Sequence, residues 1–170
     1  NACIVSCEQC EDPYRGISCS DTIEEFEKKV ALRGSLCGTL YQSIPANALE
    51  IDAAFIVNLA ASVQKVFSPV EFSNVTAYKC GLLMDRIGSL VTTGTYLSSM
   101  TEEHVTTVVG ALSLFAGISA ENNFQLPGDI LSARWFFEIV QKIQRGMMGS
   151  MVQGQNPIQV STANVRASTF

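Results

Sequence analysis

Ser99-Met100-Thr101-Glu102-Glu103-His104-Val105-Thr106-Thr107-Val108-Val109-Gly110-Ala111-Leu112-Ser113-Leu114-Phe115 is the stretch on which the fold class turns. Val105, Val108, Val109, Leu112 and Phe115 recur at three- and four-residue steps, the period of a helix with a buried face; a half-buried strand would alternate every second residue. Ser99 and Glu102 have the spacing of a capping box, and Gly117 lies near the expected end. This predicts one helix of a bundle.

Working outward, the same signal repeats. Upstream, Ser20, Asp21 and Thr22 offer caps, Thr22 and Glu25 form a second capping box, and Ile23, Phe26, Val30, Cys37, Leu40 and Tyr41 mark an inward stripe ending before Pro45. Leu49 to Phe67 carries Ile51, Phe55, Leu59, Val63 and Val66 and is stopped by Ser68-Pro69. A third helix runs from about Phe72 to Thr92 through Cys80, Leu83, Ile87 and Leu90. Downstream, Pro127, Gly128 and Asp129 open a fifth, with Leu131, Trp135, Ile139 and Ile143 in one row and Lys142 and Arg145 in a last turn that suits the helix dipole. The expected fold is mainly α: a disulfide-rich cap over residues 1–20, a bundle of about five helices over 21–153, and a strand segment over 154–170. Phe26, Phe55, Leu83, Leu112 and Trp135 are the expected core.

In the last segment, Gln155-Asn156-Pro157 breaks the helical pattern, and Ile158 to Thr162 alternates apolar with polar. Asn164 to Ser168 reads as a second strand. Two isolated strands are marginal in water. Ile158, Val160 and Val165 are therefore expected to join a following β-domain, with the bundle complete by Ile143 and able to fold without them.

Composition narrows the function classes. Eleven Lys+Arg face sixteen Asp+Glu, for a net charge of −5, and no basic cluster exists to neutralise a row of phosphates, so nucleic acid is not an expected partner. The longest near-apolar run, Val108 to Ile118, is about half the ~20 residues of a membrane-spanning helix. No membrane span is expected in this stretch of chain.

Six cysteines, at 3, 7, 10, 19, 37 and 80, four of them within the first nineteen residues, have the look of a disulfide framework in an oxidising compartment. Sequence alone leaves fifteen pairings open. Cys37 and Cys80 each lie amid an inward helical stripe and read as one bridge between the first and third helices; a bridge from Cys10 to Cys19 is also expected. Zinc would need four ligands, and Cys7-x-x-Cys10 supplies one knuckle without a second. Asn1-Ala2-Cys3 lacks the features of a signal peptide, so a processed or partial piece of a longer protein is expected. Asn74-Val75-Thr76 is an N-glycosylation sequon and marks Asn74 as the acceptor.

Two resemblances bear on the architecture. Cys10 to Cys19, with eight intervening residues that include Pro13, Tyr14 and Gly16, resembles the last loop of an EGF-like module. It departs from one in having two residues between Cys7 and Cys10 and no first half; a short disulfide-bonded cap on the helices is the alternative. The helix from Phe72 to Leu90, the segment from Val108 to Ser119 with Ala111-Leu112-Ser113, and the strand from Ile158 to Val165 together resemble the helical part of a GAIN region in polycystin-1-like proteins and adhesion receptors. That resemblance covers most of residues 20–170. It implies an extracellular or cell-surface location, at the ciliary membrane if polycystin-like, and a β-sandwich to follow. The family's autoproteolytic His-hydrophobic-Ser/Thr tripeptide is matched in letters by His104-Val105-Thr106, but these sit in a helical first turn, and the role is not carried over.

The residues assemble no catalytic set. His104 is the one histidine, flanked by Glu102, Glu103, Thr106 and Thr107, and reads as a solvated first-turn residue. Glu24, Glu25 and Glu27 match a helix N-terminus before they suggest paired acids. No nucleophile elbow, P-loop or dinucleotide fingerprint occurs, and no cofactor is expected. Trp135, Phe136 and Phe137 give apolar residues on adjoining faces of one helix; two buried faces are the favoured explanation, with one buried face and one partner face the other. The expected function is a non-enzymatic extracellular interaction module of a larger surface or membrane-anchored protein, contacting other domains of its own chain or neighbouring subunits. The rival is a small secreted helical carrier of a lipid or other apolar ligand, which would have little use for an unpaired strand.

Overall fold

The computed structural model describes residues 10–16, 18–47, 51–93, 100–122, 124, 126, 129–150 and 159–168. Two short strands, β1 (Tyr14–Arg15) and β2 (Asp21–Thr22), precede five helices: α1 (Ile23–Gln42), α2 (Ala53–Val66), α3 (Asn74–Thr93), α4 (Glu102–Asn122) and α5 (Ala133–Ser150). The strands β3 (Gln159–Ser161) and β4 (Arg166–Ser168) follow. The molecule is mainly helical, as the periodicity predicts. Cys3, Cys7 and Ile158 lie outside the described residues, as do Ser99, Pro127 and Gly128.

Helix starts are written in short polar side chains. At α1 the predicted capping box is present: the Thr22 N–H donates to Glu25 Oε2 at 2.9 Å and the Glu25 N–H to Thr22 Oγ1 at 3.3 Å. Asp52 caps α2 through Oδ1, 2.7 Å from the Phe55 nitrogen, so this helix begins later than its apolar pattern does. Ser73 caps α3 and Ser132 caps α5. At α4 the cap is Thr101: its hydroxyl accepts from the His104 N–H at 3.3 Å, and His104 Nδ1 accepts from the Thr101 N–H at 3.2 Å. His104 thus closes a capping box, in the place a Glu or Gln usually takes.

The helices pack as α2 on α4, α3 on α5, and α1 on α3. Leu83, Ile87, Leu112, Phe115, Ile139, Ile143 and Met147 are fully enclosed, and Trp135 is buried. Phe115 lies at the centre of an aromatic cluster, stacked on Phe67 at 5.0 Å and edge-on to Phe72, Trp135 and Phe136. Helix α4 is long and apolar enough to reach across a bilayer by composition, yet Val105, Val108, Val109, Ala111, Leu112, Phe115 and Ile118 are spent inside the bundle. Such all-round apolarity is what a central core helix requires.

Helix α1 is the thin partner. Only Gly34 and Cys37 are buried along its length, and Ile23 and Tyr41, expected in its inward stripe, are 44% and 45% exposed. Phe26 and Phe55, expected in the core, are half-buried at its margin. Three ties hold α1 instead. Cys37 is bonded to Cys80 of α3, as predicted. The Thr76 hydroxyl donates to the Val30 carbonyl at 3.2 Å, an approach permitted because a Cβ on Gly34 would stand 3.1 Å from Thr76 Oγ1. Arg33 Nε donates to Glu71 Oε2 at 2.7 Å, its Nη2 contacts the same oxygen, and its Nη1 donates to the Val66 carbonyl at 2.7 Å.

The terminal strands correct a further expectation. They pair with each other, Val160 opposite Ala167, as an antiparallel hairpin laid on α4 and α5. Val160 and Ala167 point inward and are 3% and 1% exposed, so Val160 is a core residue and Val165 packs half-buried against it. The loop is pinned to α4: the Asn164 N–H donates to Ser113 Oγ at 3.1 Å and Asn164 Nδ2 to the Ser113 carbonyl at 2.9 Å. Gly117 makes room, since a Cβ there would stand 2.9 Å from Asn164 Nδ2. Gly117 therefore serves the docking of the hairpin rather than the end of α4, which continues to Asn122.

Candidate interaction surface

Helix α5 carries two different faces. Trp135, Ile139, Ile143 and Met147 recur every four residues and fill the core. On the opposite side Phe137, Gln141, Gln144 and Met148 share one stripe, and Phe137 and Met148 remain 61% and 59% exposed. Eleven residues at 1.5 Å separate those two apolar side chains by about 16 Å along the helix. The Trp135-Phe136-Phe137 run therefore has one buried face, one half-buried ring and one ring in solvent, which corrects the expectation of two buried faces.

The hairpin borders this stripe. Gln144 Nε2 donates to the Ser168 carbonyl at 3.3 Å, joining the outer face of α5 to β4. Each of β3 and β4 has a single strand neighbour, so among the described residues each keeps one edge without a strand partner. The outward side chains Gln159, Ser161 and Arg166 are exposed and polar. Beside Phe137, Arg134 and Glu138 form an exposed ion pair at 2.9 Å, and the Glu138 carboxylate raises the Arg134 pKa further. Lys142, placed by the sequence in a dipole-matching last turn, lies two turns from the helix end and donates to Asp85 of α3 at 2.7 Å.

A concavity runs between α1 and the start of α3. Phe26, Val30, Ala31 and Val75 form its apolar walls around Gly34 and Thr76, with Glu27 and Lys79 at its rim, and it encloses about 480 Å³ open to solvent. Asn74, exposed as the first residue of α3, lies in sequence between Ser73 and Val75, which both line it.

The N-terminal loop is a small cap. Cys10 is bonded to Cys19, Gly16 takes the left-handed conformation at φ 88°, and β1 pairs with β2 before the chain enters α1. Asp21 anchors it by an ion pair to Lys29 at 2.7 Å, a hydrogen bond that raises the Lys29 pKa. Two disulfides within the chain fit an oxidising compartment. Among the described residues no group of three His, Cys, Asp or Glu side chains converges. His104 and the acids Glu24, Glu25 and Glu27 stay on separate helix starts, where His104 and Glu25 serve as caps.

The exposed Phe137 and the pairing of β3 with β4 are what sequence reasoning missed. The signal for the first was present, because Phe137 falls outside the Trp135-Ile139-Ile143 row by 200° of helical rotation, but side-chain exposure is a tertiary fact. No protein-family model, curated protein or solved structure matches this chain.

Proposed function

We propose that this chain is a non-enzymatic, extracellular interaction module of a larger surface or membrane-anchored protein, which meets a neighbouring protein domain through the outer stripe of α5 and the adjoining hairpin edge. The observation that carries this reading is the placement of Phe137 and Met148 in solvent on the same stripe, beside strands that, among the described residues, each keep one edge without a strand partner. Apolar anchors provide burial and a strand edge provides register, a combination that suits a sheet-bearing partner. On this reading the bundle stands where the helical part of a GAIN-type ectodomain stands, ahead of a β-domain, at the cell surface or the ciliary membrane. A photo-crosslinking amino acid introduced at Phe137 or Met148 of the parent protein should give a discrete adduct to one protein segment; the same probe at Lys28, exposed on α1, should give none. Absence of adducts from both α5 positions overturns the proposal.

The carrier reading keeps one observation in its favour, the apolar groove between α1 and α3. The tail no longer speaks against it, since β3 and β4 are paired and close the fold. Organic extraction of the secreted protein followed by mass spectrometry decides: a stoichiometric lipid supports a carrier, and its absence leaves the interaction module.

A further inference from the structure

We propose that Asn74 is an N-glycosylation site that can be modified only before α1 docks on α3, and that its glycan stands over the groove between those helices. Three observations converge. The Asn74 side chain is exposed and, among the described residues, makes no hydrogen bond, so its Nδ2 is free to carry a substituent in the folded protein. Thr76, the hydroxyl residue of the sequon, is 1% exposed, with Oγ1 committed to the Val30 carbonyl at 3.2 Å and near Ser73 Oγ at 3.1 Å. Ser73 and Val75, the immediate neighbours of Asn74, line the groove, as does Thr76.

The chemistry fixes the order of events. Transfer forms a bond between Asn74 Nδ2 and the anomeric carbon of a lipid-pyrophosphate-linked oligosaccharide. The bond from that carbon to the phosphate oxygen breaks, the lipid pyrophosphate departs, and Nδ2 loses one proton. The enzyme that does this reads asparagine and the hydroxyl two residues on, and so needs both on an accessible, extended segment. In the folded chain Asn74 and Thr76 lie in the first turn of α3, with the hydroxyl sealed beneath α1. The folded protein can hold the glycan yet cannot acquire it. Cys37 and Cys80, whose bond fixes α1 against α3, are separated by 43 residues, and closure of that bond ends the period in which the sequon can be read.

Once attached, the first sugar stands at the groove edge, beside Val75, which is 63% exposed. An apolar wall that would otherwise meet water is then covered by carbohydrate, which keeps this face from acting as a second docking surface.

The test uses the chain produced in a secretory host and, separately, unglycosylated chain. Secreted protein should lose mass on treatment with peptide N-glycosidase, with conversion of residue 74 to an aspartate, and Asn74→Gln should be secreted without that glycan. Thr76→Ser, which keeps the hydroxyl, should remain modified. Incubated with oligosaccharyltransferase and its lipid-linked donor, the reduced, unfolded chain should accept the glycan and the disulfide-bonded folded chain should not. In methyl NMR, Val75 and Val30 should shift between glycosylated and enzymatically deglycosylated protein. An unmodified secreted chain overturns the site, equal modification of folded and unfolded chain overturns the order of events, and unmoved Val75 methyls overturn the cover.

Discussion

At the residue scale the sharpest constraint is Gly146, where α5 packs directly on Val91 of α3. A Cβ at this position would stand 2.4 Å from Val91 Cγ1 and 2.5 Å from the Val91 carbonyl oxygen. In an open helix, Gly→Ala would stabilise by about 1 kcal/mol through propensity. Here the obstacle includes backbone, which cannot rotate away, and overpacking of this kind costs roughly 1–3 kcal/mol. The steric effect wins, so Gly146→Ala should lower the urea midpoint; a raised midpoint would mean that α3 and α5 stand further apart. The α1 cap makes a second prediction at this scale. The Thr22 backbone N–H, and then its hydroxyl, hold the Glu25 carboxyl below its ordinary pKa. A group depressed on folding adds stability above its unfolded pKa and loses it as pH falls through the folded one. Helix α1 should therefore weaken as pH falls from the ordinary carboxylate range to below it, and Glu25→Gln should remove that part of the acid response, read from the amide signals of the first turn of α1.

At the scale of elements, what was legible in the sequence is what local pattern controls. The capping box of Thr22 and Glu25, the row from Trp135 to Ile143, and the placing of Cys37 and Cys80 on inward stripes could all be read because each depends on spacing within one helix. Asp52 was hidden because the apolar residues Leu49 and Ile51 extend the helical pattern past the true start of α2. The hairpin was hidden for a different reason. Its strands find each other across a turn held by Thr162, whose Oγ1 donates to the Val165 carbonyl at 2.7 Å, and they find the bundle through Ser113 and Gly117, fifty residues away in sequence. Nothing in the periodicity of α4 marks those two small residues as a docking site. For the candidate surface, the sequence shows the surplus apolar residue on α5 but not which ring reaches solvent. The hairpin should consequently stabilise the bundle it covers. Val160→Ala should cost about 1–3 kcal/mol by loss of buried methyl groups. Asn164→Ala, which removes the side-chain bond to Ser113, should cost roughly 1 kcal/mol. If removing residues 159–170 leaves the thermal midpoint unchanged, the packing of β3 and β4 on α4 and α5 is wrong.

At the scale of the whole molecule, the five helices divide by how they are held. Helices α2 to α5 share the aromatic and aliphatic core around Phe115, whereas α1 runs closely along α3 yet fully buries only Gly34 and Cys37 and is fastened by a few specific ties. Apolar burial therefore does less for α1 than covalent and polar attachment does. The Arg33 and Glu71 side chains are only 24% and 11% exposed, so the cost of taking both charges out of water offsets much of their attraction and leaves the disulfide as the main fastening. Closing a loop of 43 residues restricts the unfolded chain by about 4 kcal/mol in the chain-entropy account. Set against the roughly 5–15 kcal/mol that stabilises a typical domain, its loss is large yet need not unfold the core. Replacing both Cys37 and Cys80 with alanine should separate the two parts: amides of α1 should exchange at rates approaching those of an open helix, while those of α3, α4 and α5 stay protected. Replacing Cys10 and Cys19 should affect only the cap, because β1 and β2 touch the bundle through the start of α1. If the Cys37 and Cys80 variant loses protection evenly across all five helices, α1 belongs to the cooperative core, and the ties at Gly34, Arg33 and Thr76 carry more than their exposure suggests.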